Sequence, residues 1–161
     1  MPAVAFEQLS LFQGLTLDQI ELLQALFIPW SCEADRMIFE QGAPAENLYL
    51  IISGEIIVQF KPDDGPAILV ARVQEGGVVG WSAALGSRAY TSGAMTTTDT
   101  QMLRVRGSDL RMLCEQEPEL GGMILGRLAE IIAVRLRSTH AQVLALLELG
   151  LRTSLHQQEV K

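Results

Sequence analysis

The chain has 161 residues, 48% of them hydrophobic and 19% charged, a balance that points to one compact soluble domain with a sizeable core and leaves little room for a second. Twelve Lys and Arg against 19 Asp and Glu give a net charge of −7, which disfavours bulk DNA or RNA binding unless a basic patch is sharply localised. No apolar run approaches the roughly 18 to 20 residues that span a bilayer, and MPAVAFEQLS lacks the basic start and long apolar stretch of a signal peptide, so no membrane span and a cytoplasmic location are expected.

Residues 7–27, EQLSLFQGLTLDQIELLQALF, predict a short amphipathic N-terminal helix. Thr16 with Gln19 three residues on makes a capping box, followed by apolar Ile20, Leu22, Leu23, Leu26 and Phe27. From 28 to 106 the pattern turns to short apolar or alternating runs: IPWSC, RMIFE, NLYLII, EIIVQF, AILVARV, GVVGW and QMLRVR. Turn-formers separate them, as at Gly42-Ala43-Pro44, Ser53-Gly54, Pro62-Asp63-Asp64-Gly65 and Glu75-Gly76-Gly77. Seven or eight closely spaced strands predict an antiparallel sandwich or roll, with a hairpin loop at Pro62 to Gly65.

After Gly107 the period switches to helical, through residues 107–157. No proline follows Pro118 up to Gln157, so a long helix is expected with Pro118 in its first turn. Leu125, Ala129, Ile132, Leu136, Thr139, Val143 and Leu146 follow alternating steps of four and three, a heptad seam. Leu120, Ile124, Leu128 and Ile131 form a second stripe in the first half only, which predicts that this half also packs on the β region. A helix of about 35 residues is about 50 Å long, more than a small β domain covers, so the seam predicts a homodimer, although the buried face of an intramolecular helix gives the same period. Thr139 would be a polar interruption of that seam, fixing register or facing a ligand.

Familiar chemistry is missing. Cys32 and Cys114 are far apart, with no CxxC or Cys/His cluster. His140 and His156 would lie about 24 Å apart on one helix, and both sit outside the β region, which argues against a metal-dependent enzyme on a similar roll. No GxSxG, HExxH or P-loop lysine appears. The chain therefore reads as a non-enzyme with no required cofactor or metal.

Three stretches carry a resemblance. They are Leu11, Phe12 and Leu15 near the start, ADRMIFEQGAPAENLYLIISGEIIV from Ala34 to Val58, and GGVVGWSAALGSRAYTSGA from Gly76 to Ala94. With the long helix after them, they resemble the cyclic nucleotide-binding domain, the family of the bacterial catabolite activator and the protein kinase A regulatory subunit. The likeness runs from about residue 8 to 148 and is most diagnostic where Gly42 and Gly54 flank an apolar strand. It implies a mainly β fold with flanking helices: a double-stranded β-helix, or jelly-roll, barrel with an N-terminal helix and a long C-terminal dimerisation helix, all within one domain over 1–161.

The resemblance also implies a phosphate-binding cassette at 80–91, where a Gly-Glu opens a short helix and an Arg and a small hydroxyl residue follow. A cyclic phosphodiester carries one negative charge, which helix N-terminal amides and a bidentate guanidinium would hold. Gly80, Ser82, Ala83, Arg88, Ala89 and Thr91 are the expected ligand contacts. Trp81 stands where the family has the Glu that accepts from the ribose hydroxyl, and an indole donates but does not accept. It either fills the cavity or stacks on a flat ligand. The interval from Trp81 to Arg88 is about two residues shorter than usual, and Ser87 replaces the common proline. Thr139 resembles a helix hydroxyl that contacts the base in some relatives.

Only LRTSLHQQEVK follows Gly150, too short for a helix-turn-helix reader, so direct DNA binding is not expected. The resulting expectation is a stand-alone sensor. A small anion, cyclic AMP or cyclic GMP, would pull the cassette inward and shift the paired helices toward an unknown protein partner. The alternative is a degenerate, ligand-free roll acting as a structural or interaction homodimer.

Overall fold

The computed structural model describes residues 6–159, apart from the side chains of Glu7 and of most positions from 135 onward. Two 3-10 turns, Phe6–Gln8 and Ser10–Phe12, lead into α1, Leu17–Leu26. The single helix expected over 7–27 is thus broken at Gly14, which has φ 75°. The capping box forms: Thr16 Oγ1 accepts from the Gln19 amide at 3.2 Å, and the Thr16 amide donates to Gln19 Oε1 at 3.0 Å.

Eight strands follow: β1 Ile28–Cys32, β2 Met37–Phe39, β3 Asn47–Ser53, β4 Ile56–Phe60, β5 Ile68–Val73, β6 Val78–Val79, β7 Gly93–Thr96 and β8 Thr100–Arg106. They make two four-stranded antiparallel sheets, in the orders β1-β8-β3-β6 and β2-β7-β4-β5. The loop at Pro62 to Gly65 joins β4 and β5, which pair from Ile56↔Val73 to Phe60↔Ile68. The helices α2, Gly107–Gln116, and α3, Pro118–Glu159, complete the chain.

The layers run helices, first sheet, second sheet. Both faces of the first sheet are buried. Leu48, Leu50, Leu103 and Val105 meet Phe12, Leu23, Phe27, Leu110, Leu113, Leu120, Ile124 and Leu128 on the helix side. Tyr49, Ile51, Val79 and Met102 meet Phe39, Ile56, Val58, Val73 and Ala94 on the other. That is why NLYLII is an unbroken apolar run whereas β4 alternates. Each such side chain contributes roughly 1.5 to 3 kcal/mol by leaving water.

The closed barrel expected from the resemblance is corrected here. The two sheets are neither closed on each other nor strongly curled; among the described residues no ladder joins them, and the cross-link near the cassette is the isolated bridge Pro44↔Ala89. Two features interrupt closure. The chain leaves the first sheet for the second through a corner at Asp35, φ 60°, and β6 is only two residues long, so its ladder stops before it can continue into another strand. Nor is the chain mainly β: α3 alone has 42 residues, more than the eight strands together, and the fold is a mixed α/β one. Alternation identifies strands; it carries no information on whether a sheet closes.

Pro118 does open α3, whose second stripe is the packed one, with Leu120, Ile124 and Leu128 buried and Ile131 against the same core. At the seam, Leu125 is 39% exposed, Ala129 is exposed and Ile132 is half-buried. Beyond Ala133 no described side chain is buried, and Val134, Leu144 and Leu147 are exposed.

Candidate functional site

The segment after β6 is shaped by Gly80. Its φ is 81°, and a Cβ there would sit 2.6 Å from the Asn47 carbonyl oxygen, so both conformation and space demand glycine. Residues 81–86 then wind into successive turns. Ala83 N donates to Gly80 O, Ala84 and Leu85 N to Trp81 O, Gly86 N to Ala83 O and Ser87 N to Ser82 O, at 3.0 to 3.3 Å. These amides are spent within the turns and do not face a ligand. Helix α2 holds the segment from behind, Arg111 Nη1 donating to Ala83 O at 2.7 Å.

From Arg88 to Tyr90 the chain runs beside residues 42–45. Ala45 N donates to Arg88 O, Tyr90 N to Ala43 O and Gly42 N to Tyr90 O, at 2.8 to 3.1 Å. Tyr90 points inward and is 5% exposed. Its ring stacks on Phe39 with centroids 3.8 Å apart and planes at 17°, and Phe39 stacks in turn on Tyr49 at 6.0 Å. The Tyr90 hydroxyl donates to Asn47 O at 2.6 Å and accepts from Asn47 N at 3.0 Å. Burial pushes the Tyr90 phenol above its ordinary range, and burial followed by the neighbouring Tyr90 does the same for Tyr49, so both rings are neutral near pH 7.

Between these groups lies a cleft of about 10 Å³, lined by Phe39, Val58, Val79, Gly80, Trp81, Ser82, Tyr90, Thr91 and Ser92. That is room for about one water, where pockets for small molecules measure about 300 Å³ or more.

The expected contacts divide into three groups. Gly80, Trp81, Ser82 and Thr91 line the cleft; Ser82 is half-buried and Thr91 exposed. Ala83 is buried against α2 and Ala89 bridges Pro44. Arg88 is exposed, does not line the cleft, and its guanidinium makes no hydrogen bond or ion pair among the described residues. Trp81 is half-buried and packs on the helix-side core as well as lining the cleft. The side chain of Thr139 lies outside those described. Sequence reasoning missed Phe39, Asn47 and Tyr90. The available signal was the two-residue shortfall before Arg88: counting two further on lands on Tyr90, the side chain that points in.

Residues 29–117 match the cyclic nucleotide-binding domain, and the chain belongs to that family. A CRP-like cAMP-activated global transcriptional regulator of Mycobacterium tuberculosis is 26% identical over 131 residues, 81% of this chain and 57% of that protein; the chain thus spans little more than half of that relative. Among solved structures, a cyclic nucleotide-binding domain from Methylobacillus flagellatus superposes with a TM-score of 0.76 at 20% identity, covering 87% of this chain and 79% of that one. A putative cyclic nucleotide-binding protein from Geobacter metallireducens gives 0.70 at 25% identity, covering 83% and 99%. The expectation of a regulatory rather than catalytic domain rests on this membership. Among the described residues no helix is long and apolar enough to cross a membrane.

Proposed function

We propose that residues 1–161 act as one cytoplasmic regulatory module of the cyclic nucleotide-binding type whose nucleotide position is closed by its own side chains. It works as a homodimer through α3, read by another protein. The observation that carries this reading is a cleft of only about 10 Å³, walled in part by the Phe39 and Tyr90 stack. Two further features support it: Trp81 offers no acceptor for a ribose hydroxyl, and Arg88 lies outside the cleft, exposed. The apolar seam of α3, where Leu125 is 39% exposed and Ala129 is exposed, supports the dimer. Isothermal titration with cyclic AMP and cyclic GMP is expected to give no heat at millimolar nucleotide and no rise in melting temperature; saturable heat with either would overturn the reading.

One observation favours the sensor reading instead. Gly80 opens a turn rimmed by the hydroxyls of Ser82, Thr91 and Ser92, which suits a small anion if Tyr90 swings out. Binding would then have to supply the free energy of breaking the Tyr90 to Asn47 bonds, a conformational cost that lowers affinity.

A further inference from the structure

A second feature lies at the opposite edge of the first sheet and is independent of whether the cleft binds a nucleotide. Strand β1 is an edge strand, paired only with β8, in the register Ile28↔Arg104 and Trp30↔Met102. Arg104 in turn faces Tyr49 on β3. Directly opposed residues project from the same face of a sheet, and Tyr49 and Met102 belong to the core between the sheets, so Ile28, Trp30 and Arg104 project on that side too. The second sheet does not reach over them: Ile28 is 49% and Trp30 41% exposed. The Arg104 guanidinium lies 4.3 Å from the centre of the Trp30 ring and, though half-buried, makes no hydrogen bond or ion pair among the described residues. This happens in a chain with 19 acidic residues against 12 basic ones.

We propose that Ile28, Trp30 and Arg104 form a docking surface for a segment of a partner protein that carries an Asp or Glu next to an apolar side chain. A guanidinium that lies over an indole and makes no hydrogen bond or ion pair among the described residues has a planar fork of N–H donors to offer, and a carboxylate is the acceptor that matches two of them at once. Ile28 and the Trp30 ring supply the apolar surround that excludes water and strengthens that pair, the composition of an interface anchor. A second copy docking the same patch on itself would set Arg104 against Arg104, with no carboxylate in the patch to neutralise either. Nucleic acid is disfavoured by the net charge of −7.

The test is peptide display on the full chain, with the enriched sequences resynthesised and titrated against variants. The expected outcome is enrichment of peptides with Asp or Glu beside an aromatic or branched residue. Their affinity should fall by about tenfold or more in Arg104→Gln and in Trp30→Ser, fall less in Arg104→Lys, which keeps charge without the fork, and be unchanged in Lys61→Gln. Circular dichroism melts identify any variant that has unfolded, and the Arg104→Lys comparison then carries the test. No enrichment, enrichment of peptides without a carboxylate, or equal binding to wild type and Arg104→Lys overturns the proposal. None of these outcomes depends on the nucleotide titration.

Discussion

The cassette and the long helix treat apolar surface in opposite ways. Around Gly80 the side chains are packed, with Phe39, Tyr49 and Tyr90 stacked into the inter-sheet core and the Tyr90 hydroxyl donating to Asn47 O. Along α3 the reverse holds: one stripe is buried on the body while Leu125, Val134, Leu144 and Leu147 stay exposed. Within one fold, the part that would receive a ligand is packed and the part that would pass a signal on is bare. That difference is what supports the proposal that contacts with other chains, rather than a small molecule, determine this domain's state.

The comparison breaks most readily at Tyr90. Tyr90→Ala empties a 5% exposed site and leaves the Asn47 amide and carbonyl without their partner. It is expected to cost about 3 to 4 kcal/mol in urea denaturation, whereas a loss under about 1 kcal/mol would mean that the ring is not part of the packed core. On the helix side, Leu125→Lys puts a charge on the seam. Sedimentation equilibrium should shift from dimer toward monomer with little change in the monomer's circular dichroism; an unchanged dimer would place the interface elsewhere.

Gly80→Ala should cost roughly 2 kcal/mol, since φ of 81° and the Asn47 carbonyl 2.6 Å from the added carbon both oppose a side chain. The smallest effect is expected at Arg88. Arg88→Leu should stay within about 0.5 kcal/mol of wild type and leave the response to nucleotides as it was. A variant that abolished nucleotide binding would return Arg88 to the role the resemblance implies for it.

These residues also mark how far the sequence could be read. Strand positions were legible because period-two alternation follows directly from the pleat, and Pro118 announced the start of α3 by being tolerated only in a first turn. Strand β7 was missed because GAMT has neither the length nor the β-branched content that marks a strand; its pairing with β2 and β4 defines it. Closure of the barrel was illegible because it depends on how far ladders extend, and a two-residue β6 ends one. The sequence drew the eye to Trp81, but the ring buried beside the cleft is Tyr90, whose hydroxyl finds Asn47 43 positions earlier in the chain. No local pattern encodes a partner at that separation.

The most direct test is a crystal structure of the wild-type protein grown with millimolar cyclic AMP. Phe39 and Tyr90 are expected to be still stacked, with the Tyr90 hydroxyl on Asn47 and no nucleotide between Gly80 and Thr91. A nucleotide seated there with Tyr90 displaced would contradict that.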